Sequence, residues 1–212
     1  PCHFKGDQVM AGSLMSEGCG QMAMFLMLKL GMHANVNNAR FQPMPGESAG
    51  RTRYRRERDA AHVDGIDLNF GCPAKTVNRS QGGAALLRTP LLIKSICQAV
   101  RERVPNTVPV TAKIRLGYDT EDQFEEILDA LAQVELSELT IHARTRRQGY
   151  RPPAHWHQLR KATQKMPYTV IANGELWSPS DLTRCASVSG CDTFMLARGA
   201  LCRPDLAAAI QG

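Results

Sequence analysis

Four pairs of polar residues, each pair two positions apart, punctuate this 212-residue chain: Asp67 and Asn69, Lys113 and Arg115, His142 and Arg144, Asn173 and Glu175. Each closes a short apolar run, and residues two apart on a strand point to the same face. One such pair is the ordinary end of a strand entering water. Four in series predict a rim where amine, guanidinium, imidazole, amide and carboxylate groups converge, a set able to hold an anion and move protons. Directly after the first pair comes Gly71-Cys72-Pro73. A thiol of ordinary pKa, about 8.5, is protonated at neutral pH and can donate. The flanking glycine and proline place Cys72 on a loop within reach of a substrate. Cys97, Cys185, Cys191 and Cys202 sit in helices or apolar runs and read as small buried hydrophobes. The segments Asn173-Gly174-Glu175 and Ala197-Arg198-Gly199-Ala200 follow the last two apolar runs. They read as phosphate-holding loops, which implies a phosphate-bearing cofactor beside Lys113 and His142. His155 and His157 flank Trp156, but positions i and i+2 of a helix do not share a face, so both are expected to be structural rather than metal ligands.

The elements that must position these groups follow from the alternation of short apolar runs with amphipathic segments, the signature of parallel βα units. Strands are predicted near 65–69, 108–115, 138–143, 168–173 and 192–197, and helices near 90–104, 121–135, 155–165 and 179–188, with a last one starting near 204. Thr89-Pro90, Ser178-Pro179 and Arg203-Pro204 put proline at a first helical position, and Thr120 with Gln123 predicts a capping box. Five strands in series, each followed by a helix and none by a GxGxxG turn, favour part of a barrel over an open nucleotide-binding sheet.

Composition bounds the rest. With 43% apolar and 22% charged residues the chain has an ordinary globular make-up, and its longest apolar run, around Met22 to Leu28, is too short to span a membrane. Seven cysteines at irregular spacing without a CxxC pair argue against a disulfide framework or a zinc site. No leader with a charged start and apolar core is visible, so a cytoplasmic location is expected. The net charge of +6 suits an anionic partner. Lys75, Arg115, Arg144, Arg146 and Arg147 are expected on or beside the rim as a basic surface. Residues 1–63 are different: they hold seven of the nine methionines and the basic block Arg51 to Arg58, and show no strand-turn-helix rhythm. They are read as an unassigned segment, and 64–212 as the barrel portion.

Together, the stretches Asp67-Leu68-Asn69-Phe70-Gly71-Cys72-Pro73-Ala74-Lys75-Thr76-Val77-Asn78, Ala112-Lys113-Ile114-Arg115-Leu116-Gly117, Ile141-His142-Ala143-Arg144-Thr145, Ile171-Ala172-Asn173-Gly174-Glu175 and Ala197-Arg198-Gly199-Ala200 resemble the tRNA-dihydrouridine synthases. The Lys75-Thr76-Val77-Asn78 and Gln148-Gly149-Tyr150-Arg151 stretches look most like the bacterial enzymes acting at tRNA position 16. The resemblance covers about residues 64–210. It implies an α/β fold holding about strands 4 to 8 of a TIM (β/α) barrel, FMN as cofactor, NADPH as reductant and tRNA as substrate. It also implies Cys72 as proton donor, Lys113, His142, Asn173, Gly174, Glu175, Ala197 and Arg198 on FMN, and Asn69, Lys75 and Arg115 on the uridine or nearby RNA. The family's opening Leu-Ala-Pro-Met strand and its flavin-binding glutamine have no counterpart in residues 1–63, which suggests a barrel start altered by frame shift or decay. The family's C-terminal helical domain likewise has no counterpart before Gly212. Two other readings use some of the same residues: another FMN barrel of the dihydroorotate dehydrogenase type, and a non-catalytic RNA-binding remnant.

Overall fold

The computed structural model describes residues 65–211. The chain divides into two units, Pro1–Ile66 and Asp67–Gly212, and almost all of the first, with Cys2, Cys19, the apolar run around Met22 to Leu28 and the basic block 51–58, lies outside the described residues. The second unit is built on five strands: β1 (Ile66–Asn69), β2 (Val110–Arg115), β3 (Glu138–His142), β4 (Thr169–Asn173) and β5 (Thr193–Met195). They lie side by side in chain order, and β2 to β5 are parallel throughout. A doubly wound sheet reverses its strand order at a switch point; here the order never reverses, so the sheet is an open arc of a (β/α) barrel.

Alternation along each strand creates the two faces. In β2, Val110, Ala112 and Ile114 are fully buried on one face, while Thr111, Lys113 and Arg115 take the other. Leu139 and Ile141 of β3 repeat the pattern against Thr140 and His142. The apolar set is completed by helix stripes: Ile93, Cys97 and Val100 of α2 (Pro90–Arg103), and Phe124, Ile127, Leu128 and Leu131 of α3 (Phe124–Leu131). Both sets recur at three- and four-residue steps, one side of a helix. The remaining helices are α1 (Lys75–Arg79), α4 (Leu159–Lys165), α5 (Pro179–Ser189), α6 (Arg198–Cys202) and α7 (Leu206–Gln211). Among the described residues no helix is long and apolar enough to cross a membrane.

Several local expectations change. No capping box forms at Thr120: its hydroxyl donates to Asp122 Oδ2 (2.8 Å), Gln123 reaches the Arg88 carbonyl (3.3 Å), and α3 starts only at Phe124. The complete cap is at Ser178, whose Oγ accepts the Asp181 N–H (3.3 Å) and donates to the Asp181 carboxylate (2.8 Å). Pro179 follows it at the first helical position, whereas α7 begins two residues after Pro204. The helices α1 and α6 and the 3₁₀ segment Gly83–Arg88 were not anticipated; they are about one or two turns long, too short to show a period.

Candidate active site

Register brings the predicted groups together. Arg115, His142, Asn173 and Met195 face one another across β2, β3, β4 and β5, all at the carboxyl ends of their strands. One step earlier on β2, Lys113 Nζ reaches past β3 to donate to Asn173 Oδ1 (3.1 Å), and Asn173 Nδ2 donates onward to the Met195 carbonyl (2.8 Å). Asp67 lies deeper and accepts from the Thr111 hydroxyl (2.8 Å), so it serves the β1–β2 seam instead of the rim.

Cys72, 7% exposed, sits on a loop tied by its backbone. Asn69 Oδ1 accepts the Gly71 N–H (2.9 Å), Arg115 Nε donates to the Gly71 carbonyl (2.8 Å), and the Cys72 carbonyl accepts from Asn78 Nδ2 (2.8 Å) and the Ala84 N–H (3.0 Å). Arg115 continues through Nη1 to the carbonyls of Thr145 (3.2 Å) and Gly149 (2.9 Å). Its guanidinium is buried and links the cysteine loop to the loop after β3.

Positive charge dominates the other side. Burial, joined by the charges of Arg115, Lys113, Arg144 and Arg198, pushes the His142 pKa down to about 2, so the ring is neutral at physiological pH. Arg144 Nη1 lies 3.2 Å from His142 Nε2. A guanidinium only donates, so Nε2 accepts and the ring proton resides on Nδ1. Arg144 is completely buried, pairs with the carboxylate of Glu175 and donates through Nε to the Arg151 carbonyl (2.6 Å). Burial, with Arg198 and Arg115 nearby, lowers its pKa to about 10, still fully charged at neutrality. Glu175 takes φ +62°, and Gly174 before it φ +109°. A Cβ on Gly174 would stand 2.8 Å from His142 Cδ2, so glycine lets the imidazole and the loop touch.

The basic rim differs from expectation. Lys75 and Arg147 are exposed and Arg146 half-buried, but Arg115 and Arg144 lie inside; internal backbone and carboxylate acceptors draw both away from solvent. Cys202, expected to be buried, is exposed on the five-residue α6, while Cys97, Cys185 and Cys191 are buried as anticipated. His155 and His157 do come together, with ring centroids 5.9 Å apart, because His155 lies outside the helix, before the 3₁₀ turn Trp156–Gln158, with non-helical backbone. His155 binds Glu121 (2.9 Å), and no group of side chains among the described residues has a metal-site arrangement. Two aromatic residues add to the predicted set. Tyr150, 53% exposed, lies over Arg115 (5.3 Å), Arg198 (5.0 Å) and His142 (5.8 Å), and Trp177 lies against Arg198 (5.1 Å) while donating to Glu175 (3.2 Å). An exposed aromatic inside an arginine-rich loop was the available signal for Tyr150.

The sequence is similar to those of known proteins. The family model described as dihydrouridine synthase (Dus) matches residues 54–212, and a second, described as a FabA-like domain, matches residues 1–58. The tRNA-dihydrouridine(16) synthase of Shewanella oneidensis is 50% identical over 147 residues, 69% of this chain and 47% of that protein. Its namesake in Pseudomonas putida is 50% identical over 141 residues, 66% of this chain and 44% of the relative. The one from Neisseria meningitidis serogroup A is 49% identical over 149 residues, 70% and 45%. The chain spans about half the length of the curated relatives it matches.

Proposed function

Because the chain belongs to the dihydrouridine synthase family, we propose that residues 64–212 are the flavin-binding part of an enzyme that reduces a D-loop uridine of tRNA, at position 16 as in the relatives' names, to 5,6-dihydrouridine. The observation that carries this reading is the union, on one rim, of a tethered cysteine with a cationic cluster around a neutral histidine. Four cations surround His142, and Glu175 answers Arg144. That surplus suits a phosphate and an electron-rich ring, so the donor set fits FMN. Lys113, His142, Asn173, Gly174, Glu175, Ala197 and Arg198 would hold it.

When bound and reduced by NADPH, FMN would supply a hydride for the uracil. The protein's own task is the proton: Cys72 Sγ–H donates to C5, and solvent restores the thiol. A positioned acid of this kind is worth about 10²–10⁴ in rate. Asn69 and Lys75 would meet the uridine or the RNA next to it, while buried Arg115 would act through the Gly71 carbonyl that it holds, and the base must leave its stack to reach the site. A tRNA substrate supports the cytoplasmic location proposed for this work. Residues 1–53 stand outside this machinery, a reading supported by the match of residues 1–58 to a different family model and by the start of the dihydrouridine synthase match at residue 54.

The test is nucleoside mass spectrometry of tRNA lacking dihydrouridine after incubation with the chain, FMN and NADPH. A uridine heavier by two hydrogens is expected. Bound flavin without that product would favour another FMN barrel, and neither flavin nor product would favour the RNA-binding remnant.

A further inference from the structure

Asn78 is a buried amide, 7% exposed, six residues after Cys72 on the one-turn helix α1. Its Nδ2 donates to the Cys72 carbonyl (2.8 Å) and lies 3.4 Å from the Gly82 carbonyl. Two carbonyl acceptors fix which way the amide faces, since the reverse orientation would set oxygen against oxygen. Its Oδ1 is buried without a hydrogen bond. An apolar residue of the same size would avoid that cost, so the donor is what this position keeps. From the far side Gly83, at φ +57°, packs so closely that a Cβ would meet the Cys72 carbonyl at 2.9 Å and Cys72 Cβ at 3.0 Å. The neighbouring Ala84 N–H donates to the same carbonyl (3.0 Å).

We propose that Asn78 is a positioning residue for Cys72, its amide holding the cysteine peptide down onto the Gly82–Ala84 turn so that the thiol stays at one height on the rim. The proposal rests on the reading of Cys72 as the proton donor. In mechanical terms Asn78 and Arg115 grip consecutive carbonyls, those of Cys72 and Gly71. Removing either hand frees one end of the peptide.

The test compares wild type with Asn78→Leu, which fills the volume but donates nothing, and Asn78→Gln, which keeps a donor. Iodoacetamide labelling of the full chain with FMN added is followed peptide by peptide, with buried Cys97 and Cys185 as internal references. Cys72 in Asn78→Leu should label about tenfold faster, the factor that loss of one buried hydrogen bond produces in a local opening equilibrium. Asn78→Gln should stay within about twofold of wild type, with Cys97 and Cys185 unlabelled in all three. Gly83→Ala, reaching the same peptide by a different route, should also raise Cys72 labelling alone. Wild-type labelling in Asn78→Leu overturns the proposal, and so does a matching rise at Cys97 and Cys185, which would make Asn78 a residue of general stability. Turnover gives a second readout: Asn78→Leu should lower kcat and leave the KM for tRNA unchanged, where a rise in KM alone contradicts the proposal. Wild type that makes no dihydrouridine while the labelling pattern holds would fail the enzymatic reading and leave the positioning role standing.

Discussion

Around Cys72 the chain is held mainly through its own backbone: the Asn69 and Asn78 amides and the Ala84 N–H engage Gly71 and Cys72. Across β3 to β5 the site is held instead by charge, with buried Arg144 clasping Glu175 and leaning on His142, and exposed Arg198 set between Tyr150 and Trp177. Arg115 joins the two, bonding to Gly71 on one side and to Thr145 and Gly149 on the other. The difference teaches what each side is suited to. On the cysteine side neutral hydrogen bonds, joined by one from Arg115, fix the peptide that carries the thiol. Packed cations create a standing positive field ready for an anion.

The largest effect should come from the charged side. Glu175→Gln leaves Arg144 buried with its charge unanswered, and the expected loss of stability is about 3 kcal/mol, less than for a wholly enclosed pair because Glu175 is partly exposed. Urea unfolding measures it, and a loss below about 0.5 kcal/mol would put this side on the same footing as a surface ion pair. Next comes pH. His142 is held neutral down to about 2, while in the unfolded chain it protonates near 6.5. Between those values the unfolded state binds the proton that the native state refuses, so stability falls as pH drops below 6.5. Between pH 7 and pH 5 the His142 contribution is about 2 kcal/mol, and His142→Gln should flatten the profile by that amount. An unchanged profile would mean that the cations around the ring do not exclude its proton.

Much of this architecture was legible because it repeats. The β2–β5 order and the rim pairs follow from runs such as Val110 to Arg115, where alternation marks both faces at once. Less legible was which arginines face water. Arg115 and Arg147 look alike in sequence, but only the folded loops show that the carbonyls of Gly71, Thr145 and Gly149 capture the first. Asn78 stands in the sequence only as part of a family stretch, and its role and that of Gly83 were not legible for the same reason, since both depend on a chain reversal through segments too short to carry a period.

Smaller effects sharpen the contrast. Gly174→Ala drives a methyl into His142 at φ +109° and should cost about 1–2 kcal/mol, with the loss visible as weakened FMN binding before any change at the cysteine loop. Smallest is the surface term. Arg147, exposed beside the rim, should add one phosphate contact. Its replacement by alanine should reduce the salt slope of tRNA binding by about 0.7–0.9 in log K per tenfold change in salt. Replacing buried Arg115 should disturb the Cys72 loop more than the slope.

The central claim is that the two sides divide the work, proton on one and cofactor on the other, and it is tested most directly by measuring FMN affinity and dihydrouridine formation side by side in Cys72→Ala and Lys113→Ala. Cys72→Ala should bind FMN as wild type does while product formation falls by about 10²–10⁴, and Lys113→Ala, which loses the Nζ bonded to Asn173, should lose FMN affinity first. Wild-type turnover in Cys72→Ala, or loss of FMN from it, would contradict the account.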